Sequence, residues 1–162
     1  MTSRIKQFLK KVMAILTLMI IASSCNGIQS GENLTESNKE YIRGLGLLDS
    51  KEDILLFETH SGKLINSFQT SGNFISDKRL ASYWIDENNP YKTTIDFAYY
   101  NYIDTLILTD LSENWPSASY LTIKKKDGQE FKLYISGSSS EINDFFNQSI
   151  NMWTKNKNGN GL

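Results

Sequence analysis

The sequence predicts a mainly β domain of about seven antiparallel strands, closed by one C-terminal α-helix. Three observations carry that expectation. Leu121 and Ile123 alternate with Thr122 and Lys124, and Phe131, Leu133 and Ile135 alternate with Lys132 and Tyr134, which is the two-residue period of strands with one buried face. Between these runs, Lys126-Asp127-Gly128-Gln129 supplies Asp-Gly, the residue pair that a tight type I′ hairpin turn needs for positive φ at both central positions. Ser138-Ser139-Ser140-Glu141 then reads as a capping box, in which serine and glutamate side chains each satisfy a backbone donor at a helix start. Ile142, Phe145, Phe146, Ile150 and Trp153 follow on one helical face, with Asn143, Asn147 and Asn151 on the other. Phe146 is expected at the centre of the buried face.

Bulk composition suits one ordinary globular domain. The 162 residues are 40% hydrophobic, 22% charged and 12% aromatic, with only two prolines, a balance that favours aromatics packed on pleated sheet. Net charge is −1; residues 1–24 hold four basic residues and no acid, which leaves −5 for the rest. A mildly acidic domain argues against nucleic acid, whose binding rests on Lys and Arg neutralising phosphates. The single cysteine cannot form an internal disulfide, and with one histidine it makes no zinc set. No metal or cofactor is expected.

The amino terminus reads as an export segment. Residues 1–11 are basic and residues 12–22 are apolar apart from Thr17. Eleven helical residues span about 16 Å, roughly half a bilayer core, which fits a signal-peptide core better than a membrane span. Ala22, Ser23 and Ser24 then precede Cys25. This run resembles the lipobox of bacterial lipoproteins, with Ala22 where leucine is usual. The resemblance implies cleavage before Cys25, lipid on its sulfur, and attachment to a membrane of the cell envelope. The other reading is an ordinary cut after Ser24 that leaves a free thiol. Lone thiols are a liability in an oxidising compartment, whereas acyl chains add about 0.8 kcal/mol of membrane affinity per buried methylene.

The expected organisation is a signal peptide over 1–24, a flexible tether over 25–40, the domain over 41–157 and a tail over 158–162. The tether, rich in Asn, Ser, Gly and Glu, has an r.m.s. span of roughly 20 Å if fully flexible. Residues 41–48 suggest one short helical turn weakened by glycine. Strands are expected over 53–60, 63–69, 73–76, 80–86, 93–98 and 105–109, ahead of the terminal hairpin. Pro90 interrupts them, since proline is excluded from central strands.

Gly46-Leu47-Leu48 with Glu52-Asp53-Ile54-Leu55-Leu56-Phe57, then Phe74-Ile75-Ser76-Asp77-Lys78-Arg79-Leu80, then Leu121-Thr122-Ile123 with Lys126-Asp127-Gly128 and the aromatic helix resemble bacterial pleckstrin-homology and GRAM-type domains over about two-thirds of the chain. Ser76-Asp77-Lys78-Arg79 is similar to that family's Ser/Thr-Asp-Lys-Arg junction between two strands. The resemblance implies two near-orthogonal sheets with one open end plugged by the helix, and a binding role toward lipid headgroups or protein segments. Headgroup-binding members place several Lys and Arg in and after the first hairpin loop; here that loop offers His60 and Lys63, too few converging donors for a phosphate clamp.

Other constellations are weaker. Lys124-Lys125-Lys126 reads as a solvated hairpin shoulder, and Lys78-Arg79 as a turn. His60 has no legible nucleophile partner. Asp96, Asp104 and His60 carry a rival reading, a small envelope hydrolase, if the fold gathers them. A second rival is a lipocalin-like barrel around an apolar ligand. The pattern 98–102 breaks strand alternation and cannot bury every ring, so Tyr99, Tyr100 and Tyr102 are the expected contact residues for a protein partner in the envelope.

Overall fold

In the computed structural model, which describes residues 27–59, 67–113 and 117–158, two antiparallel sheets face each other. The first holds β1 (Gln29–Ser30), β2 (Ile54–Glu58), β3 (Ser71–Ser76), β4 (Arg79–Trp84) and β5 (Thr94–Tyr99), in that order. The second holds β6 (Ile103–Thr109), β7 (Ser119–Lys125) and β8 (Glu130–Ile135). Among the described residues there are thus eight strands, and the two sheets do not close into a barrel. A 3-10 turn over Tyr100–Tyr102 carries the chain from one sheet to the other.

The predicted terminal hairpin forms, with a different turn. Lys125 N–H bonds Gln129 O at 2.8 Å and Gly128 N–H bonds Lys125 O at 3.0 Å. The loop therefore has three residues, Lys126, Asp127 and Gly128, rather than two. Gly128 at φ +86° supplies the left-handed position that three-residue hairpins need.

Register alone sorts the first sheet's two faces. Leu56, Ile75, Leu80 and Ala98 are cross-strand neighbours and pack toward the second sheet with Leu121, Ile123, Leu133 and Ile135. Phe57, Phe74, Ala81 and Tyr83 point the other way and pack with Ile42 and Leu47. Each such fully buried side chain contributes roughly 1.5–3 kcal/mol.

Ile42 belongs to α1 (Glu36–Gly44), and this corrects the expectation of a tether. From Gln29 on, the stretch is ordered: β1 pairs with β2, a 3-10 turn covers Gly31–Asn33, and α1 follows. Thr35 caps α1 by accepting from Asn38 N–H at 3.2 Å, a helix start hidden in polar composition. Gly44 is its last residue, and Gly46 beyond it ends the helix instead of weakening it. Gly46, at φ +76°, lets its N–H reach Arg43 O and Leu47 N–H reach Ile42 O, a Schellman closure with the expected Ile42–Leu47 apolar pair.

Two further expectations change. Of the strand expected over 63–69, residues 63–66 lie outside the described residues, and the rest falls in α2, the short helix Ser67–Thr70. Phe68 there packs against Phe57 at 5.0 Å between ring centroids. The C-terminal helix α3 (Ser139–Asn156) starts with the predicted capping box. Its buried centre, however, is Ile142, Phe145 and Ser149, so Phe146 lies at the margin and is only half-buried. Ser149 accounts for the shift: its hydroxyl bonds Phe145 O at 2.9 Å, which lets a polar residue occupy the central stripe. No helix among the described residues is long and apolar enough to cross a membrane.

Candidate functional site: a groove between the sheets

Beyond its apolar row, the first sheet's inner face turns polar. Glu58, Asn73, Ser82 and Asp96 are successive cross-strand neighbours on β2 to β5. The next row outward is Ser71, Trp84 and Thr94. Strand β8 crosses above the polar row. Ser136 N–H donates to Glu58 Oε1 at 2.5 Å, and Asn73 Nδ2 donates to Tyr134 O at 2.6 Å. Ser82 Oγ in turn donates to Asn73 Oδ1 at 2.8 Å. Polar side chains of one sheet thus satisfy main-chain groups on the edge of the other, as buried polar groups require.

Past Asn73 the two sheets part, and a groove of about 530 Å³ opens, within the size range of small-ligand sites. Its floor includes Asn73, Ser82, Trp84 and Asp96, and its wall is β8 from Glu130 to Tyr134. Trp84 is 48% exposed and Tyr134 44%. Tyr134 lies 5.9 Å from Tyr120 between ring centroids, and Lys132 Nζ stands 4.1 Å from the Tyr120 ring, so that ammonium is turned to the second sheet's outer face. Among the described residues the Asp96 carboxylate has no hydrogen bond or ion pair.

Glu58, at the closed end of the polar row, is fully buried and its Oε2 has no hydrogen-bond partner among the described residues. Burial pushes its pKa up to about 7, against the opposing pull of Ser136 and Asn73, because desolvation disfavours the charged form.

The predicted contact residues separate. Tyr100 is 1% exposed, and its hydroxyl donates to Ser76 O at 2.6 Å, so it is a core residue and not a contact. The alternation break at 98–102 is the 3-10 turn, which swings Tyr100 inward beneath the junction of the sheets. Tyr99 is half-buried, its ring 4.4 Å from the Arg79 guanidinium. Only Tyr102 stands out, 61% exposed, with its carbonyl bonded by Lys126 N–H. Cys25 and His60, like Lys63, lie outside the described residues.

Arg79 does more than turn the chain. It is 1% exposed, pairs with Glu52 through Nε at 3.0 Å and Nη2 at 2.7 Å, and reaches Asp49 at 2.8 Å. Such a buried, bidentate pair fixes β4 against the loop that joins α1 to β2. Asp104 is exposed on β6, bonded by the Thr105 hydroxyl, and does not line the groove with Asp96. No set of three His, Cys, Asp or Glu side chains among the described residues could hold a metal ion.

The groove's own residues escape a sequence reading except in fragments. Tyr134 was legible as the outward position between Leu133 and Ile135, and Trp84 as the aromatic that ends the Leu80, Ser82, Trp84 face. Nothing local joins them to Asp96.

No protein-family model matches this chain, and no curated protein matches it. Among solved structures it is similar to a DUF1696-family protein with a pleckstrin-homology domain from Shewanella loihica PV-4, at 14% identity, with 74% of this chain and 97% of that chain covered and a TM-score of 0.42.

Proposed function

We propose that this protein is a membrane-anchored binding module of pleckstrin-homology-like architecture, which holds a segment of another envelope protein in the groove between its sheets and is not an enzyme. The groove carries the reading: an open cleft with half-exposed Trp84 and Tyr134 at its rim and, on its floor, the Asp96 carboxylate, which has no partner among the described residues. Aromatic anchors beside a few fixed polar groups are what protein-recognition sites use. Two sheets followed by a C-terminal helix is the element order expected of such a domain. The groove's polar floor disfavours a lipocalin-like pocket for an apolar ligand. The separation of Asp96 from Asp104 disfavours the hydrolase.

Cys25 is the proposed site of lipid attachment. Since β1 begins at Gln29, four residue steps separate the anchor from the domain, at most roughly 14 Å of extended chain. The domain then works close to the bilayer, where sharing a membrane with its partner raises their effective concentration.

Crosslinking in intact cells tests the reading. A specific crosslinked band that fades with Trp84→Ala, while the variant melts like the wild type, supports it. Substrate turnover by the purified protein, abolished by Asp96→Asn, refutes it.

A further inference from the structure

The polar row on the first sheet answers the edge of β8 one position at a time. In the β7–β8 register, Ser119, Leu121, Ile123 and Lys125 exchange main-chain hydrogen bonds with Ile135, Leu133, Phe131 and Gln129. Alternation in an antiparallel pair then turns the N–H and C=O of residues 130, 132, 134 and 136 away from β7. Glu58 takes the Ser136 N–H and Asn73 takes the Tyr134 carbonyl. The pattern stops there. Ser82 turns its hydroxyl to Asn73, and at Lys132 the groove intervenes, so among the described residues no hydrogen bond meets the Lys132 main chain. A donor and an acceptor on one residue, side by side on an open edge, are a template for another extended strand.

Resting on the binding reading above, we propose that the groove takes a short extended segment of a partner polypeptide as an added strand on β8, paired with the main chain of Lys132, and that the segment places one basic side chain, lysine or arginine, on Asp96 against Trp84. Main-chain pairing supplies register, and the groove floor supplies selectivity. The basic residue is chosen by charge. Asp96 lies on the inner face of β5 without a counter-ion among the described residues, while the nearby Lys132 ammonium is occupied on Tyr120. A cation there also meets the exposed indole of Trp84, the best aromatic partner for one. The segment must be short, because the Tyr134 carbonyl is already taken by Asn73 and bars pairing further along the edge.

The experiment uses the full chain in detergent micelles and fluorescein-labelled peptides read by polarisation. The probes are acetyl-Thr-Val-Lys-Val-Thr-amide, the same peptide with glutamate for lysine, and a version N-methylated on the central amides. Saturable binding of the lysine peptide at millimolar concentration is expected, with a loss of about tenfold or more for the other two, as one charged contact or one paired hydrogen bond implies. Asp96→Asn should erase the preference for lysine over glutamate. Lys132→Pro should weaken binding by about tenfold or more and leave the melting temperature near that of wild type, since it removes an N–H that no rung of the β7–β8 ladder uses. Lys132→Ala, which keeps the main chain, should bind like the wild type. If the lysine peptide does not bind, or if Lys132→Pro binds as well as Lys132→Ala, the inference is overturned. In that event a crosslinked band in cells that still depends on Trp84 preserves the groove as an interface, and absence of that band removes both.

Discussion

Glu58 shows what one side chain does when register places it inside. Its carboxyl receives the Ser136 N–H but leaves Oε2 without a partner among the described residues in a fully buried site, and burial raises its pKa to about 7. The unfolded chain holds that proton only to near the ordinary glutamate value. The folded state therefore binds more protons between roughly pH 4.5 and 7, and the contribution is fully present below that window and lost as pH rises through it. Stability should fall by about 3 kcal/mol across these pH units from this group. Glu58→Gln removes the titration and should flatten the fall. Denaturant melts of both proteins at pH 5 and pH 7 check this, and equal slopes would show that Glu58 stays ionised in the fold.

At the scale of elements, local chemistry made some pieces readable and left others hidden. The β7–β8 hairpin and α3 are decided by neighbours in sequence: Asp127-Gly128 for the turn, Ser138 and Glu141 for the cap, which the structure reproduces with Ser138 N–H on Glu141 Oε2 at 2.8 Å. Helix α1 was hidden because its one fully buried residue, Ile42, sits among polar neighbours; its stability comes from packing on the first sheet, which composition does not display. The face of α3 was read one position off, because Ser149 looks polar yet is buried through its own hydrogen bond to Phe145 O. The consequence is measurable. Phe145→Ala should cost roughly 3–5 kcal/mol, as buried aromatic truncations do. Phe146→Ala should cost about half as much, and Asn147→Ala less than about 0.5 kcal/mol. Urea unfolding of the three variants ranks them, and a larger loss at Phe146 than at Phe145 would contradict the packing described.

At the scale of the molecule, the groove exists only because five strands meet. Glu58, Asn73, Ser82 and Asp96 lie far apart in sequence and become one row through register; Lys132 joins them from the other sheet. No periodicity within any one strand announces that meeting, which is why the sequence pointed to Tyr99, Tyr100 and Tyr102 instead. The proposed lipid anchor depends on one residue alone. Cys25→Ala should abolish acyl mass and release the domain from the membrane fraction; a wild-type protein found soluble with a free thiol would contradict lipid attachment. The central claim is that the inter-sheet groove is the contact surface. The direct measurement is photo-crosslinking in intact cells with a photoreactive residue placed at position 94, an exposed threonine that lines the groove beside Trp84, or at position 91, whose tyrosine is 99% exposed and outside it. One discrete crosslinked partner is expected from position 94, reduced by Trp84→Ala or Asp96→Asn, and none from position 91; equal crosslinking from both positions, or from position 91 alone, would overturn the groove as contact surface.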